Sequence, residues 1–328
     1  MSTTTAPTIG LAIPALAQAL PRVEAEIRRM ATSSSLPIVN EFSGRITAAG
    51  GKRLRSVLIL SGTLAMNGAV TDKAVTAAAC VEVLHAGSLV HDDLMDNATE
   101  RRGVRTVNAD WGPGPAVLVG DFMLARASQV ALREISPFAA EQLAAAVADL
   151  VEGQVLEVLD LFNPDRTPDD ALRSIALKTG ALFRVGCVLA AHCSDADEAT
   201  STRMAEYGAS FGLLFQVLDD LLDLASTRLR LGKPVGNDLR QGVYTFPLLR
   251  VMDPDLRALL TREPGDDEVA EVLARLRRGP MIEDTLGYCR DLAGRTVAAL
   301  PVLPASETAD ILRELPLAYL NWATTLIA

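Results

Sequence analysis

The stretch AAEQLAAAVADLVEGQVLEVL (Ala139–Leu159) sets the fold class. Its apolar residues recur at three- and four-residue spacing, and it is rich in Ala, Leu and Glu, all good helix formers. The same period returns in DEVAEVLARLR (Asp267–Arg277) and over most of the chain. Alternating β-branched runs are scarce and aromatics make up 4% of the residues, which argues against a sandwich or barrel. Breakers punctuate the helical stretches at Gly50-Gly51, Gly112 to Pro115, Asn163-Pro164-Asp165, Lys233-Pro234, Glu263-Pro264-Gly265 and Pro301 to Pro304. No internal repeat or low-complexity linker interrupts them. The expectation is one all-α domain over residues 1–328, its helices packed mostly antiparallel.

Of 328 residues, 49% are hydrophobic and 22% charged, enough apolar material for a sizeable core and against disorder. A net charge of −10 disfavours nucleic acid and anionic membrane as partners. An anionic ligand would therefore need a locally basic or metal-containing site. Cys80, Cys187, Cys193 and Cys289 have no metal-ligand or CxxC spacing and read as small buried hydrophobes of a reduced, cytoplasmic protein. The apolar stretch Ile9–Leu20 has no basic residue before Arg22, which argues against a secretory leader. No uninterrupted apolar run reaches 18 residues, so no membrane span is expected.

Two carboxylate clusters share the pattern DDxxD: Asp92-Asp93-Leu94-Met95-Asp96 and Asp219-Asp220-Leu221-Leu222-Asp223. On a helix the first and last Asp lie one turn apart on one face, where like charges repel. Each cluster follows apolar sequence, Ala86–Val90 and Phe211–Leu218, so a simple solvated acidic face is a poor account of it. Burying such carboxylates without compensation costs several kcal/mol, about the penalty of an unpaired buried ion. A hard divalent cation resolves the conflict, because Mg²⁺ accepts one or two carboxylates and completes its shell with water and phosphate oxygens. Two facing clusters would make a multi-metal clamp for a diphosphate.

The cations are unusually informative. Of 31 basic residues, only Lys52, Lys73, Lys178 and Lys233 are lysine. Lys52 follows Gly50-Gly51 in GGKRLR, where close backbone approach and a helix start favour phosphate, with Arg55 beside it. Lys178 stands in Lys178-Thr179-Gly180 and Lys233 follows Gly232. Arg101-Arg102-Gly103 comes just after the first acid cluster; its diverging side chains could serve two anions, although in isolation such a pair is more commonly solvated or structural. His85 lies seven residues before Asp92, on about the same helix face. His91 and His192 read as structural.

Together these segments resemble the trans-type polyprenyl (isoprenyl) diphosphate synthase family. The resemblance spans Gly50 to Pro247 and is carried by GGKRLR (50–55), EVLHAGSLVHDDLMD (82–96), RRG (101–103), GD (120–121), KTG (178–180), FQVLDDLLD (215–223) and GKPVGNDL (232–239). It implies an all-α fold of about a dozen helices around a central cavity, a homodimer, and Mg²⁺ as cofactor, three ions per site with diphosphate bound. It further implies that Lys52, Arg55, His85 and Arg102 hold isopentenyl diphosphate. Arg101, Lys178, Thr179, Gln216 and Lys233 would contact the allylic prenyl diphosphate. Asp92, Asp96 and Asp219 would be direct metal ligands, supported by Asp93, Asp220 and Asp223, and these three ligands with Lys178 would carry catalysis. The implied reaction ionises the allylic diphosphate and captures the cation with isopentenyl diphosphate, adding five carbons in a dry cavity.

One position departs from the pattern. The family usually continues DLxxGKxT, whereas here Val243 replaces the lysine in Asp238-Leu239-Arg240-Gln241-Gly242-Val243-Tyr244-Thr245. Losing one such contact weakens allylic binding by a few kcal/mol at most, about the worth of one charge-assisted hydrogen bond. Ser88 and Gly87, four and five residues before Asp92, are small, which predicts an open tunnel and products of C20 or longer; Phe122 would be a lower floor. A class I terpene cyclase is the nearest enzymatic rival, and a non-catalytic partner subunit of a heteromeric synthase the other. The isopentenyl residues count against the first, the intact acid clusters against the second.

Overall fold

The computed structural model describes residues 13–231 and 235–327. Helix starts fall where the sequence supplies a cap: the side chains of Thr71, Ser136, Asp197 and Ser306 accept the amide three residues on, and Thr167 with Asp170 forms a reciprocal capping box. The chain opens with α1 (Pro14–Ala31), α2 (Pro37–Ala48), α3 (Leu54–Asn67) and α4 (Asp72–Met95). A two-residue hairpin, β1 (Glu100–Arg101) and β2 (Val104–Arg105), and α5 (Val107–Trp111) lead to α6 (Pro113–Val130). Then come α7 (Pro137–Leu159), α8 (Pro168–Ile175), α9 (Ala181–His192) and α10 (Glu198–Ala225). The short α11 (Arg228–Leu231), α12 (Asn237–Gln241), α13 (Phe246–Leu249) and α14 (Pro254–Leu259) precede α15 (Asp266–Arg278), α16 (Met281–Ala299) and α17 (Glu307–Thr324). Eleven of these helices have twelve residues or more, close to the expected dozen, and the hairpin is the only sheet among the described residues.

The middle of the molecule is α4, α9 and α10. α4 packs against α1, α3, α6 and α9, while α9 is sandwiched between α3 and α10. α9 and the second half of α10 are apolar nearly all round, as helices buried on most sides must be, while the first turns of α10 expose Glu198, Arg203 and Glu206. Small residues bring the axes close: a Cβ on Gly212 of α10 would lie 2.8 Å from the Gly180 Cα, too near for any side chain. One hydrophobic cluster runs from Ile13 to Leu326, and all four cysteines are buried in it as expected.

The membrane reading needs one correction. Three helices are long and apolar enough to cross a membrane by length and composition, Asp72–Met95, Pro113–Ile135 and Pro168–His192. The charge interruptions that argued otherwise are too few over a whole helix. In Asp72–Met95 and Pro168–His192, 83% and 78% of the most apolar 18-residue stretch is buried within the fold, so their apolar character is core packing. Pro113–Ile135 is only 39% buried and leaves Leu118 69% exposed.

Candidate active site

Both acid clusters sit at helix C-termini. Asp92 and Asp93 lie in the last turn of α4 and Asp96 caps it, its amide bonded to the Asp92 carbonyl at 2.8 Å, so the one-turn spacing survives past the end of the helix. Asp219, Asp220 and Asp223 lie in the last two turns of α10. The helix dipole is negative there and disfavours carboxylates, so the fold asks for cations at both places. Burial raises the pKa of Asp92, Asp93 and Asp96, with Asp96 adding to the first two, while Lys178 opposes at Asp92 and Asp96. Asp220 is pushed up to about 8, chiefly by burial, although the Gln216 amide donates to it at 2.8 Å. Glu157 raises Asp92, Asp96 and Asp220 alike, which places it between the two clusters.

The cations meet these acids from a π-helical turn. Ala176–Gly180 joins α8 to α9 in one continuous helix, and that wider turn carries Lys178 and Thr179. Lys178 Nζ donates to Glu157 Oε1 at 2.6 Å; burial works against its charge, yet Glu157, Asp92 and Asp96 outweigh burial and raise its pKa. Thr179 Oγ1 donates to Gln216 Oε1 at 3.0 Å. Arg101, on β1, donates from Nε to the buried Asp93 at 2.6 Å.

Arg102 and Gly103 form the two-residue hairpin turn with φ of 52° and 77°, both left-handed, as a primed turn of this length requires. Glycine adopts that conformation freely and arginine does not. The Arg102 guanidinium bonds the Gly50 carbonyl, and a Cβ on Gly51 would lie 2.8 Å from it. The glycine pair thus seats Arg102 as well as preceding Lys52. Arg53, also left-handed at φ 49°, starts α3 and pairs with Glu24 at 2.6 Å and the buried Glu82 at 3.1 Å. Glu82 in turn accepts from Ser56 Oγ at 2.9 Å.

Two cavities result. One, of about 630 Å³, is lined by Asp96, Arg101, Glu157, Lys178, Thr179, Gln216, Asp219 and Asp220, with Val243 on its wall. The other, of about 550 Å³, is lined by Lys52, Arg55, His85, Ser88, Asp92 and Arg102, with Leu150, Leu182, Phe183 and Phe215 as apolar wall. Lys178, Thr179 and Gln216 border both. Burial beside Arg55 and Arg102 keeps the His85 imidazole well below its ordinary pKa, hence neutral near pH 7, and burial brings Arg55 down to about 10. Lys233 lies outside the described residues. Gly87, read as a tunnel residue, faces α6 instead: a Cβ there would meet Met123 at 3.1 Å and the Gly120 carbonyl at 3.2 Å. Its smallness serves helix packing. His91 packs on Gly120, and His192 bonds the Ser136 cap at 2.7 Å.

Sequence reading missed Glu157, the Arg53–Glu82 pair and the π-helical turn. Glu82 carried a signal, as the lone acid in the apolar run Ala77–Leu84.

These features define an all-α protein whose cavities pair carboxylates with fixed cations. A sequence model of the family described as "Polyprenyl synthetase" matches residues 36–276. The chain belongs to that family. It is 33% identical over 296 residues to an octaprenyl diphosphate synthase of Haemophilus influenzae, covering 88% of this chain and 89% of the relative. It is 32% identical over 279 residues to heptaprenyl diphosphate synthase component 2 of Bacillus subtilis, covering 83% and 79%. The crystal structure of a polyprenyl synthase from Caulobacter crescentus complexed with calcium and isoprenyl diphosphate superposes with a TM-score of 0.88 at 30% identity, covering 98% of each chain. The resemblance read from the motifs is borne out over a longer span than the motifs themselves.

Proposed function

We propose that this chain is a Mg²⁺-dependent prenyltransferase. It condenses an allylic prenyl diphosphate with isopentenyl diphosphate, releases diphosphate and gives products of C20 or longer. The observation that carries the reading is the division of cations between two adjoining cavities that share Lys178, Thr179 and Gln216. The first takes the allylic diphosphate, the second isopentenyl diphosphate. A terpene cyclase has no use for the second cavity.

The donor set suits Mg²⁺. Among the described residues no three Asp, Glu, His or Cys side chains converge on one point. Mg²⁺ typically takes only one or two carboxylates and keeps oxygens of water and phosphate. Asp92 and Asp96 would hold ions from one side and Asp219 from the other, with Asp93, Asp220 and Asp223 behind them. Bound there, the metal supplies charge neutralisation for the leaving diphosphate. Lys178 and Arg101 add fixed positive charge at the same leaving group, and Gln216 and Thr179 orient it by hydrogen bonding. Leu150, Leu182, Phe183 and Phe215 keep water from the allylic cation. Val243 puts an apolar side chain on the allylic cavity, removing one cation from that binding surface.

The four cysteines, buried and unbridged, support a cytoplasmic protein. Val117 and Leu118 on α6 and Val151 and Val155 on α7 expose an apolar surface that fits a second copy of the chain, hence a homodimer. The alternative that this chain needs a different partner subunit draws on its likeness to a protein named as component 2. One experiment addresses both. The purified chain alone, incubated with isopentenyl diphosphate, Mg²⁺ and primers from C5 to C20, is expected to give products of C20 or longer from farnesyl diphosphate by mass spectrometry. No elongation from any primer overturns the reading of an enzyme active on its own in favour of the partner-subunit alternative, and products ending at C15 overturn the chain length.

A pH dependence follows from Asp220. Its folded pKa of about 8 lies above that of an unfolded carboxyl. The folded chain therefore binds more protons than the unfolded chain between those values, and metal-free stability falls as pH rises through about 8. Melting in EDTA is expected to shift down between about pH 7 and pH 8.5, a range above the His85 transition, and Mg²⁺ to stabilise most at the upper end. Asp220→Asn flattens the slope. A metal-free melting temperature that rises over this range contradicts the assignment.

A further inference from the structure

We infer that Trp322 of α17 is a positioning residue for Lys52, so that the C-terminal helix sets the affinity of the second cavity. The inference rests on the reading of that cavity as the isopentenyl diphosphate site.

Each of two cations lining the cavity lies over an aromatic ring. Lys52 Nζ is 4.4 Å from the centroid of Trp322, and the Arg55 guanidinium carbon is 4.6 Å from that of Phe183. Between these rings runs an unbroken series of aromatic contacts: Phe183 to Phe215 at 5.3 Å, Phe215 to Tyr319 at 5.3 Å, and Tyr319 to Trp322 at 5.1 Å. Phe183 and Phe215 themselves line the cavity, while Tyr319 and Trp322 continue the series behind it on α17. The arc therefore begins on one cation and ends on the other, spanning α9, α10 and α17.

Lys52 needs such a seat. It stands in the loop before α3, next to the glycine pair, and is exposed. A lysine stem has large rotamer freedom, and a free ammonium would lose it on binding phosphate. The indole face attracts the ammonium through its quadrupole. An ammonium held over a ring has less rotamer freedom left to lose when it meets a phosphate oxygen. Trp322 acts through Lys52 and touches no reacting atom.

Steady-state kinetics and one fluorescence experiment test this. Trp322→Leu is expected to raise KM for isopentenyl diphosphate about fivefold while kcat and the allylic KM stay within about twofold, and Trp322→Tyr to fall between. Equal changes in both KM values, or none, overturn the positioning role. The chain has two tryptophans, so Trp111→Phe leaves Trp322 as its sole indole. In that variant, isopentenyl diphosphate alone is expected to change Trp322 emission as the ammonium is neutralised, and Lys52→Met to abolish the change. Unaltered emission at saturating isopentenyl diphosphate overturns the inference even if Trp322→Leu fails to fold. Lys52→Met also separates the two readings. If it leaves the isopentenyl KM unchanged, the cavity assignment falls; if it raises that KM and Trp322→Leu does not, only the role of Trp322 falls.

Discussion

Asp92→Asn and Asp219→Asn are each expected to lower kcat about a thousandfold, equivalent to about 4 kcal/mol, with the fold intact. The two halves of this result have one cause. Each carboxylate sits at the negative end of a long helix, among other acids, and burial raises the pKa of Asp92. At Asp92 that charge is a liability in the metal-free protein, so Asp92→Asn should leave the melting temperature in EDTA unchanged or slightly higher. On the proposed assignment Asp92 and Asp219 would hold Mg²⁺ when diphosphate is bound, and their loss would be felt where negative charge develops on the leaving group. The stabilisation of the protein by Mg²⁺ should shrink in parallel. Circular dichroism melts with and without Mg²⁺, beside single-turnover rates, check both halves. A variant that keeps more than about a tenth of the wild-type rate removes that aspartate from the metal platform.

The charged residues of the site were legible in sequence because their chemistry conflicts with their surroundings. Three carboxylates after Phe211–Leu218 make no sense as core or as ordinary surface, and a chain with four lysines invites a reason for each. The helical class was legible for a related reason, since the three-to-four period of Ala139–Leu159 is a local property. The unread features depend on contacts between distant segments. Glu157 and Lys178 are far apart in sequence and meet because α7 lies along the π-helical turn. Arg53 stands between Lys52 and Arg55 in GGKRLR, and nothing local says that Glu24 and Glu82 hold it from two other helices. Gly87 looked like a tunnel residue because only its distance from Asp92 was visible, and helix phase alone could not say that α6 covers that side. The left-handed Arg102 was equally hidden, for nothing in Arg101-Arg102-Gly103 announces a hairpin of two residues per strand.

Gly153→Ala is expected to cost about a hundredfold in activity together with a clear loss of stability, although it adds one methyl group. Gly153 lies on the face of α7 that meets the π-helical turn. A Cβ there would fall 2.4 Å from the Lys178 backbone N, 2.9 Å from Leu177 Cβ and 2.9 Å from the Ser174 carbonyl. Two of those atoms are backbone and the third is fixed to it, so no rotamer change relieves the contact and the two helical segments must separate. Overpacking of this kind typically costs about 1–3 kcal/mol. The separation falls on the site itself, because Glu157 is one turn beyond Gly153 on the same face and bonds Lys178 at 2.6 Å. Moving Lys178 by about an ångström displaces the cation that borders both cavities. Gly287→Ala is the control: Gly287 also lies within a helix, α16, but nothing lies within 4 Å of its would-be Cβ. There alanine should be neutral or stabilising, by about 0.5–1 kcal/mol, through its better helix propensity. If thermal melts and product assays show Gly153→Ala as benign as Gly287→Ala, the close approach of α7 to the turn is not what places Lys178.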